Sequence, residues 1–321
     1  MSEVADSPVL LLRCEVSADV GTGHLMRCRA LADAWRHTGG RVALVSTADL
    51  TPFEEWVEDL TVFRISGSQL SSEDAAKTIS IAKEVSASWV IADGYGFDSG
   101  WQKRVCAKCN LLAMDDFLHG SPFSAQYVLN SSPGATRDSY AERGPNTCLL
   151  LGPRFALLRR EFLPWRGWVR AHKPKAERIF VAFGGTDPAR ASLGVLSALL
   201  SAPQIQADLV IGSTCQDAAE IKVNCLNTNV TVHHGVSNIA EIMARCDLAI
   251  TAASSTALEC AFMQIPTVLL ITAENQKGLA SGLEAVGIAE NVGPVGAGIW
   301  DLVKSRLGDL VQAESPPGGV R

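Results

Sequence analysis

Ten short apolar runs separated by helix-like segments constrain this chain more than any other feature. In the first half they occupy residues 9–13, 42–46, 89–92, 111–114 and 127–130. In the second half they occupy 179–183, 209–211, 230–233, 248–251 and 267–271. Each closes on polar or turn residues, the length and punctuation of buried strands. A strand wetted on one face alternates apolar and polar residues. One that is apolar throughout is covered on both faces, as in a parallel sheet flanked by helices. The intervening segments supply those helices. Leu25, Met26, Cys28, Leu31, Ala32 and Trp35 share one face at helical spacing, and Gly39-Gly40 stops the helix. Further helices are expected around 193–200, 239–246 and 256–263, the second capped by Asn238 with Glu241 three residues on.

The pattern occurs twice, so two Rossmann-like, doubly wound α/β domains facing each other across a cleft are expected. The first covers 1–163 and the second 175–312, with a linker over 164–174 and a flexible tail over 313–321. Pro164, Gly167 and Pro174 mark the linker. Its Trp165 and Trp168 are expected to pack a hinge, because a membrane-surface anchor normally needs a longer amphipathic helix. With 321 residues, each half is long enough for its own core.

Charge and cysteine usage narrow the function. The chain carries 28 Lys+Arg against 34 Asp+Glu, a net of −6, and no long basic run, which speaks against nucleic acid as a partner. No apolar run approaches the ~20 residues that span a bilayer, and the N-terminus lacks the features of a signal peptide. Nine cysteines without regular spacing fit a reducing, cytoplasmic compartment. A monomer without integral membrane association is expected.

In doubly wound domains ligands bind outside the carboxyl ends of the strands, so the loops after strands are where chemistry is sought. The first such loop ends in Gly21-Thr22-Gly23-His24. Its glycines suit a tight turn, and His24 falls at a helix start, where the dipole favours the neutral imidazole a general base requires. Met26 breaks the Gly-x-Gly-x-x-Gly dinucleotide fingerprint. Gly184-Gly185 after the first strand of the second half exposes backbone N–H groups suited to phosphate, or makes an ordinary turn. Ser254, Ser255 and Thr256 bring hydroxyls and amides to a helix start, and Glu259 one turn on is placed to accept ribose hydroxyls. Asn275 and Gln276 follow another strand and are candidates for base or sugar recognition. Asp93-Gly94-Tyr95 and Asp115-Asp116 also close strands. Adjacent carboxylates either bind a cation or order loops; no third ligand lies near in sequence, so no metal is expected. Cys106 and Cys109 have CxxC spacing without the second pair that zinc needs.

Taken in order, these segments resemble the UDP-2,4-diacetamido-2,4,6-trideoxy-β-L-altropyranose hydrolase family of pseudaminic acid biosynthesis and related spore-coat polysaccharide proteins. The stretches that carry the likeness are Gly-Thr-Gly-His-Leu-Met-Arg-Cys at 21–28, Asp-Gly-Tyr-Gly at 93–96, Asp115-Asp116 and Leu129-Asn130. They continue with 151–162, Phe-Gly-Gly-Thr-Asp-Pro at 183–188, 252–259 and Asn275-Gln276. The resemblance implies the GT-B fold shared with the peptidoglycan N-acetylglucosaminyltransferase, and metal- and cofactor-independent cleavage of the anomeric C1–O bond of a UDP-sugar with inversion. It implies that His24 is the general base on water and that Tyr95 lies at the sugar. Arg13, Glu15, Gly21, Gly23, Gly184, Gly185, Ser254, Ser255, Thr256, Glu259, Asn275 and Gln276 are then expected to bind substrate, with UDP on the second domain. Glu15 stands where the family commonly has Asp, and Ala253-Ser254 where many members have Gly-Gly. An inverting glycosyltransferase would use the same base and donor site, and a non-catalytic nucleotide-sugar binder is the remaining alternative.

Overall fold

A computed structural model of the chain describes residues 7–16, 23–66 and 71–312, excluding the side chains of Pro52, Glu55 and 309–312. The expected tail at 313–321 and Gly21 lie outside the described residues. The chain divides into two compact units, Met1–Arg160 and Glu161–Arg321.

In the first unit, β1 (Val9–Cys14), β2 (Arg41–Ser46), β3 (Thr61–Arg64), β4 (Ala87–Asp93), β5 (Leu111–Met114), β6 (Tyr127–Asn130) and β7 (Cys148–Leu151) form one sheet. Its order is β3-β2-β1-β4-β5-β6-β7, and every pair is parallel. The helices are α1 (Gly23–His37), α2 (Glu54–Val57), α3 (Ser72–Glu84) and α4 (Ser99–Cys106). Leu10, Leu12 and Cys14 of β1 pack with Leu25, Cys28 and Ala32 of α1. Leu11 packs in a second cluster with Ala75 and Ile81 of α3 and Trp101 of α4. Side chains of a strand alternate between faces, so two helical layers demand an unbroken apolar run. Each such Leu contributes about 1.5–3 kcal/mol by leaving water.

The second unit repeats this plan. Its strands are β8 (Arg178–Ala182), β9 (Gln206–Ile211), β10 (Val230–His234), β11 (Leu248–Ala252), β12 (Thr267–Ile271) and β13 (Ala289–Pro294). They form a sheet of order β10-β9-β8-β11-β12-β13, again parallel throughout. Helices α5 (Ala191–Leu200), α6 (Ala218–Asn224), α7 (Ile239–Arg245), α8 (Ser255–Phe262), α9 (Lys277–Ala285) and α10 (Ile299–Gln312) connect and flank them. Asn238 caps α7, accepting the Glu241 N–H as its sequence position predicts. In both sheets the strand order reverses beside the first strand, between β1 and β4 and between β8 and β11. Those reversals are where open α/β sheets leave a crevice for ligands.

The segment expected to be a linker is fastened to the second unit. Arg170 is buried, and its guanidinium donates to the carbonyls of Met243, Cys246 and Met263 at 2.9, 2.5 and 2.9 Å, at the ends of α7 and α8. Trp168 lies 5.0 Å beneath that guanidinium, and its carbonyl accepts from Gln264. A cation closing two helix C-termini satisfies carbonyls that the helices leave unpaired. Among the described residues no helix is long and apolar enough to cross a membrane.

Candidate functional site

The first unit assembles a charged network where β1, β4 and β5 end. His24 stands at the start of α1, and Asp93 closes β4, the strand paired directly with β1. The His24 Nδ1 lies 2.5 Å from Asp93 Oδ1, and both side chains are buried. Arg27, one helical turn after His24, donates to both Asp93 oxygens at 2.7 and 3.1 Å and to both Asp116 oxygens at 2.5 and 3.2 Å. Burial alone would raise the Asp93 carboxyl pKa, but the charges of Arg27 and His24 outweigh it and hold the pKa well below the usual carboxylate range.

That ionisation assigns the imidazole tautomer. Two oxygen and nitrogen lone pairs cannot meet at 2.5 Å, so an Asp93 carboxylate requires the proton on Nδ1. Arg27 Nη2 lies 2.9 Å from Nδ1, but its two protons have carboxylate acceptors in Asp93 Oδ1 and Asp116 Oδ2. In the neutral ring Nε2 therefore carries the lone pair. It is buried, with no hydrogen-bond partner among the described residues. The field acting on His24 is thus set by Asp93 as well as by the helix dipole on which the sequence argument relied. An imidazole oriented by a buried carboxylate, with its other nitrogen unpaired, can take a proton from an O–H group brought to it while the carboxylate stabilises the imidazolium that forms.

Tyr95 lies edge-on to His24 at 4.6 Å between ring centroids, and its hydroxyl donates to Asp116 at 3.3 Å. Its loop is held by Glu15, whose Oε2 accepts the Tyr95 backbone N–H at 2.8 Å. Gly94 makes this possible: a Cβ there would lie 2.5 Å from Glu15 Cβ. Glu15 therefore fastens two site loops together. Arg13 departs from expectation. It is fully buried, bonded to Asp74 at 2.5 and 3.3 Å and to the Cys14 carbonyl, so its donors serve the core rather than a ligand.

Asp115 and Asp116 do not act as a pair. Asp115 accepts the backbone N–H groups of Leu118 and His119 and the Tyr140 hydroxyl at 2.5 Å, and lies 2.8 Å from His119 Nδ1, whereas Asp116 belongs to Arg27. Asn130 completes the Asp115 side by donating to Tyr140 at 2.8 Å. Among the described residues no group of three His, Cys, Asp or Glu side chains could hold a metal ion.

In the second unit the loops after β8, β9, β11 and β12 emerge from one edge of a parallel sheet. Gly184 has φ +84°, a left-handed conformation that disfavours side chains. The Gly185 carbonyl accepts from Thr214, and a Cβ on Gly212 would lie 2.2 Å from that carbonyl oxygen. The two glycine loops thus interlock, and Gly212 tolerates no side chain at the contact. Asp187 caps α5 through the N–H groups of Ala191 and Ser192. Ser254 caps α8, with Ser255 and Thr256 in its first turn and Glu259 buried one turn further. Asn275 and Gln276 are half-buried after β12, and the Gln276 carbonyl oxygen accepts from Thr272 N and Oγ1. Gln276 therefore has its oxygen engaged in shaping the loop. Gly23, at the start of α1, has open space around it.

Arg27, Asp93 as the His24 partner, His119 and Tyr140 were not singled out as functional by sequence. For Asp93 a signal existed: it is a carboxylate closing an apolar strand. Its partner was legible only through the strand order.

No known family model matches the chain. The uncharacterized protein MJ1062 of Methanocaldococcus jannaschii is 27% identical over 275 residues, covering 81% of this chain and 55% of that protein. The chain thus spans about half the length of this curated relative. Solved structures are similar over nearly the whole chain. MurG from Acinetobacter baumannii matches with TM-score 0.60 and 13% identity over 96% of this chain and 92% of that one. UGT2 of Phytolacca americana, solved with UDP-2fluoro-glucose and pterostilbene, gives 0.63 and 13% over 95% and 90%. The spinosyn rhamnosyltransferase SpnG, solved with thymidine diphosphate, gives 0.60 and 15% over 95% and 90%. At this identity the likeness establishes the fold, which is GT-B, as in these glycosyltransferases.

Proposed function

We propose that this chain cleaves the anomeric C1–O bond of a UDP-linked amino-deoxy sugar with inversion, using His24 Nε2 as general base on an attacking O–H group. The observation that carries this reading is the buried His24–Asp93 pair at 2.5 Å, with Nε2 lacking a hydrogen-bond partner among the described residues. Nucleophile and base meet at C1 while the diphosphate leaves as a stabilised anion, so one base suffices and no carboxylate nucleophile is needed. The glycine loops and the start of α8 in the second unit offer backbone N–H groups for the diphosphate, and Glu259 and Asn275 are candidates for the nucleoside.

Two O–H groups suit this base. A hydroxyl of an acceptor makes the chain an inverting glycosyltransferase, a reading supported by solved neighbours such as the rhamnosyltransferase SpnG and UGT2 with its bound UDP-2fluoro-glucose. Water makes it a hydrolase that releases free sugar for nonulosonate or surface-polysaccharide synthesis, a reading supported by the collinear motifs. Hydrolysis is transfer with water as the acceptor, so the two share every step at C1. Incubation with UDP-sugars in ¹⁸O water, with and without added acceptors, separates them. Label at C1 of an inverted free sugar establishes hydrolysis; turnover only with an acceptor establishes transfer. Label in UDP alone means P–O cleavage and refutes both, as does near-wild-type turnover by His24→Asn.

A further inference from the structure

We propose that Asp116 is a positioning residue for the base: across the Arg27 guanidinium it supplies the charge that leaves the buried cluster neutral once His24 has taken a proton. The inference rests on the reading of His24 as base and concerns a carboxylate to which that reading gives no role.

Arg27 lies one helical turn after His24 on the same face of α1, and Asp116 follows β5. The guanidinium spreads two forks. Nε and Nη2 donate to Asp93 at 3.1 and 2.7 Å, while Nη1 and Nη2 donate to Asp116 at 2.5 and 3.2 Å. The inner fork lands on the same Asp93 Oδ1 that faces His24 Nδ1. A bidentate carboxylate fixes the plane of a guanidinium, so Asp116 decides where the Arg27 charge sits. The Tyr95 hydroxyl donates to that carboxylate as well, at 3.3 Å.

Before reaction, two carboxylates and one guanidinium leave the cluster with a single net negative charge, which the imidazolium cancels. Without Asp116 the cluster would start neutral and end with an uncompensated cation, and Arg27 Nη2 lies only 2.9 Å from Nδ1. His24 and Asp93 are buried, so an uncompensated charge there is costly. Other titratable groups around the cluster are engaged elsewhere. Cys28 on α1 has its thiol 3.9 Å from Asp93 Oδ2, and its hydrogen bond with Cys14 and its burial hold its pKa well above the usual thiol range. Glu15, after β1, accepts the Tyr95 N–H, and His119, beyond the Tyr95 ring, contacts Asp115. Asp116 is the outermost of the four groups at 28% exposed, so replacing it alters the charge without emptying the core.

The test is histidine ¹⁵N NMR on the full chain, following His24 protonation between pH 4 and pH 9, with its resonance assigned by loss in His24→Asn. Asp116→Asn is expected to lower the midpoint by about one pH unit, the low end of the effect of a neighbouring charge. Arg27→Gln removes the opposite charge and should raise the midpoint by at least as much. Asp116→Glu keeps the charge and should stay within about 0.3 pH unit of wild type. The acid limb of kcat/KM for UDP-sugar turnover should move with the midpoint. A midpoint unchanged in Asp116→Asn, or moved alike in Asp116→Asn and Asp116→Glu, overturns the proposal and leaves the base in place. Near-wild-type turnover by His24→Asn removes the base and this inference with it.

Discussion

Asp93→Asn is the substitution that most directly probes the base. The change is nearly isosteric and removes one charge from a fully buried site. It acts in two ways. The Asn amide can donate to His24 Nδ1, which drives the ring proton to Nε2 and removes the lone pair that takes the substrate proton. It also withdraws the anion that faces the imidazolium in the transition state. With charge centres about 4 Å apart and an effective dielectric of about 20, that attraction is about 4 kcal/mol. At 1.36 kcal/mol per decade, kcat should fall about 10³-fold. KM should change little, because the interaction develops only as the proton moves. The assay is UDP release under saturating UDP-sugar, with circular dichroism and Tm to confirm folding, since Arg27 retains Asp116 as a partner. A folded Asp93→Asn chain turning over within threefold of wild type would refute the assignment of His24 as a carboxylate-oriented base.

Other consequences follow from the same structure. Gly212→Ala places a Cβ 2.2 Å from the Gly185 carbonyl oxygen and should displace the glycine loop, lowering Tm by several degrees and UDP affinity at least tenfold; unchanged UDP binding by calorimetry would remove that loop from the nucleotide site. Stability should fall with acid. For Asp93, Asp115 and Asp208, burial raises the pKa but is outweighed by their cationic and hydrogen-bonding partners, so all three titrate below their unfolded values. Groups with lowered folded pKa contribute stability that is full above about pH 4 and is lost as pH falls through the folded values. Guanidinium midpoints measured from pH 6 to pH 3 should therefore decline. Asp208→Asn, which leaves Arg178, Arg245 and His233 without their shared carboxylate, should lower the pH 6 midpoint and flatten the decline.

What could be read from the sequence was whatever depends on neighbours along the chain. Runs such as 9–13 and 267–271 announce strands because two helical layers leave no wetted face. The caps Asn238 and Ser254 announce helix starts because they bond amides two or three residues on. Strands β3, β7 and β13 lie at sheet edges and are partly exposed; β3 and β13 lack an unbroken apolar run, whereas the apolar Cys148–Leu151 of β7 was passed over. His24 could be placed at a helix start and Tyr95 on the loop after an apolar strand, and the glycine and serine loops of the second half likewise after theirs.

Partnership across the chain was decided only by tertiary structure. Asp93 meets His24 from 69 residues away, and Asp116 meets Arg27 from 89. Arg13, expected at the ligand, instead meets Asp74 across 61 residues inside the core. Apolar runs specify that strands are buried but not their order, because every order of equally apolar strands leaves the same pattern in the sequence. Only the folded order, with β4 beside β1 although β2 and β3 intervene in the chain, brings the Asp93 carboxylate to the imidazole of His24, the proposed base.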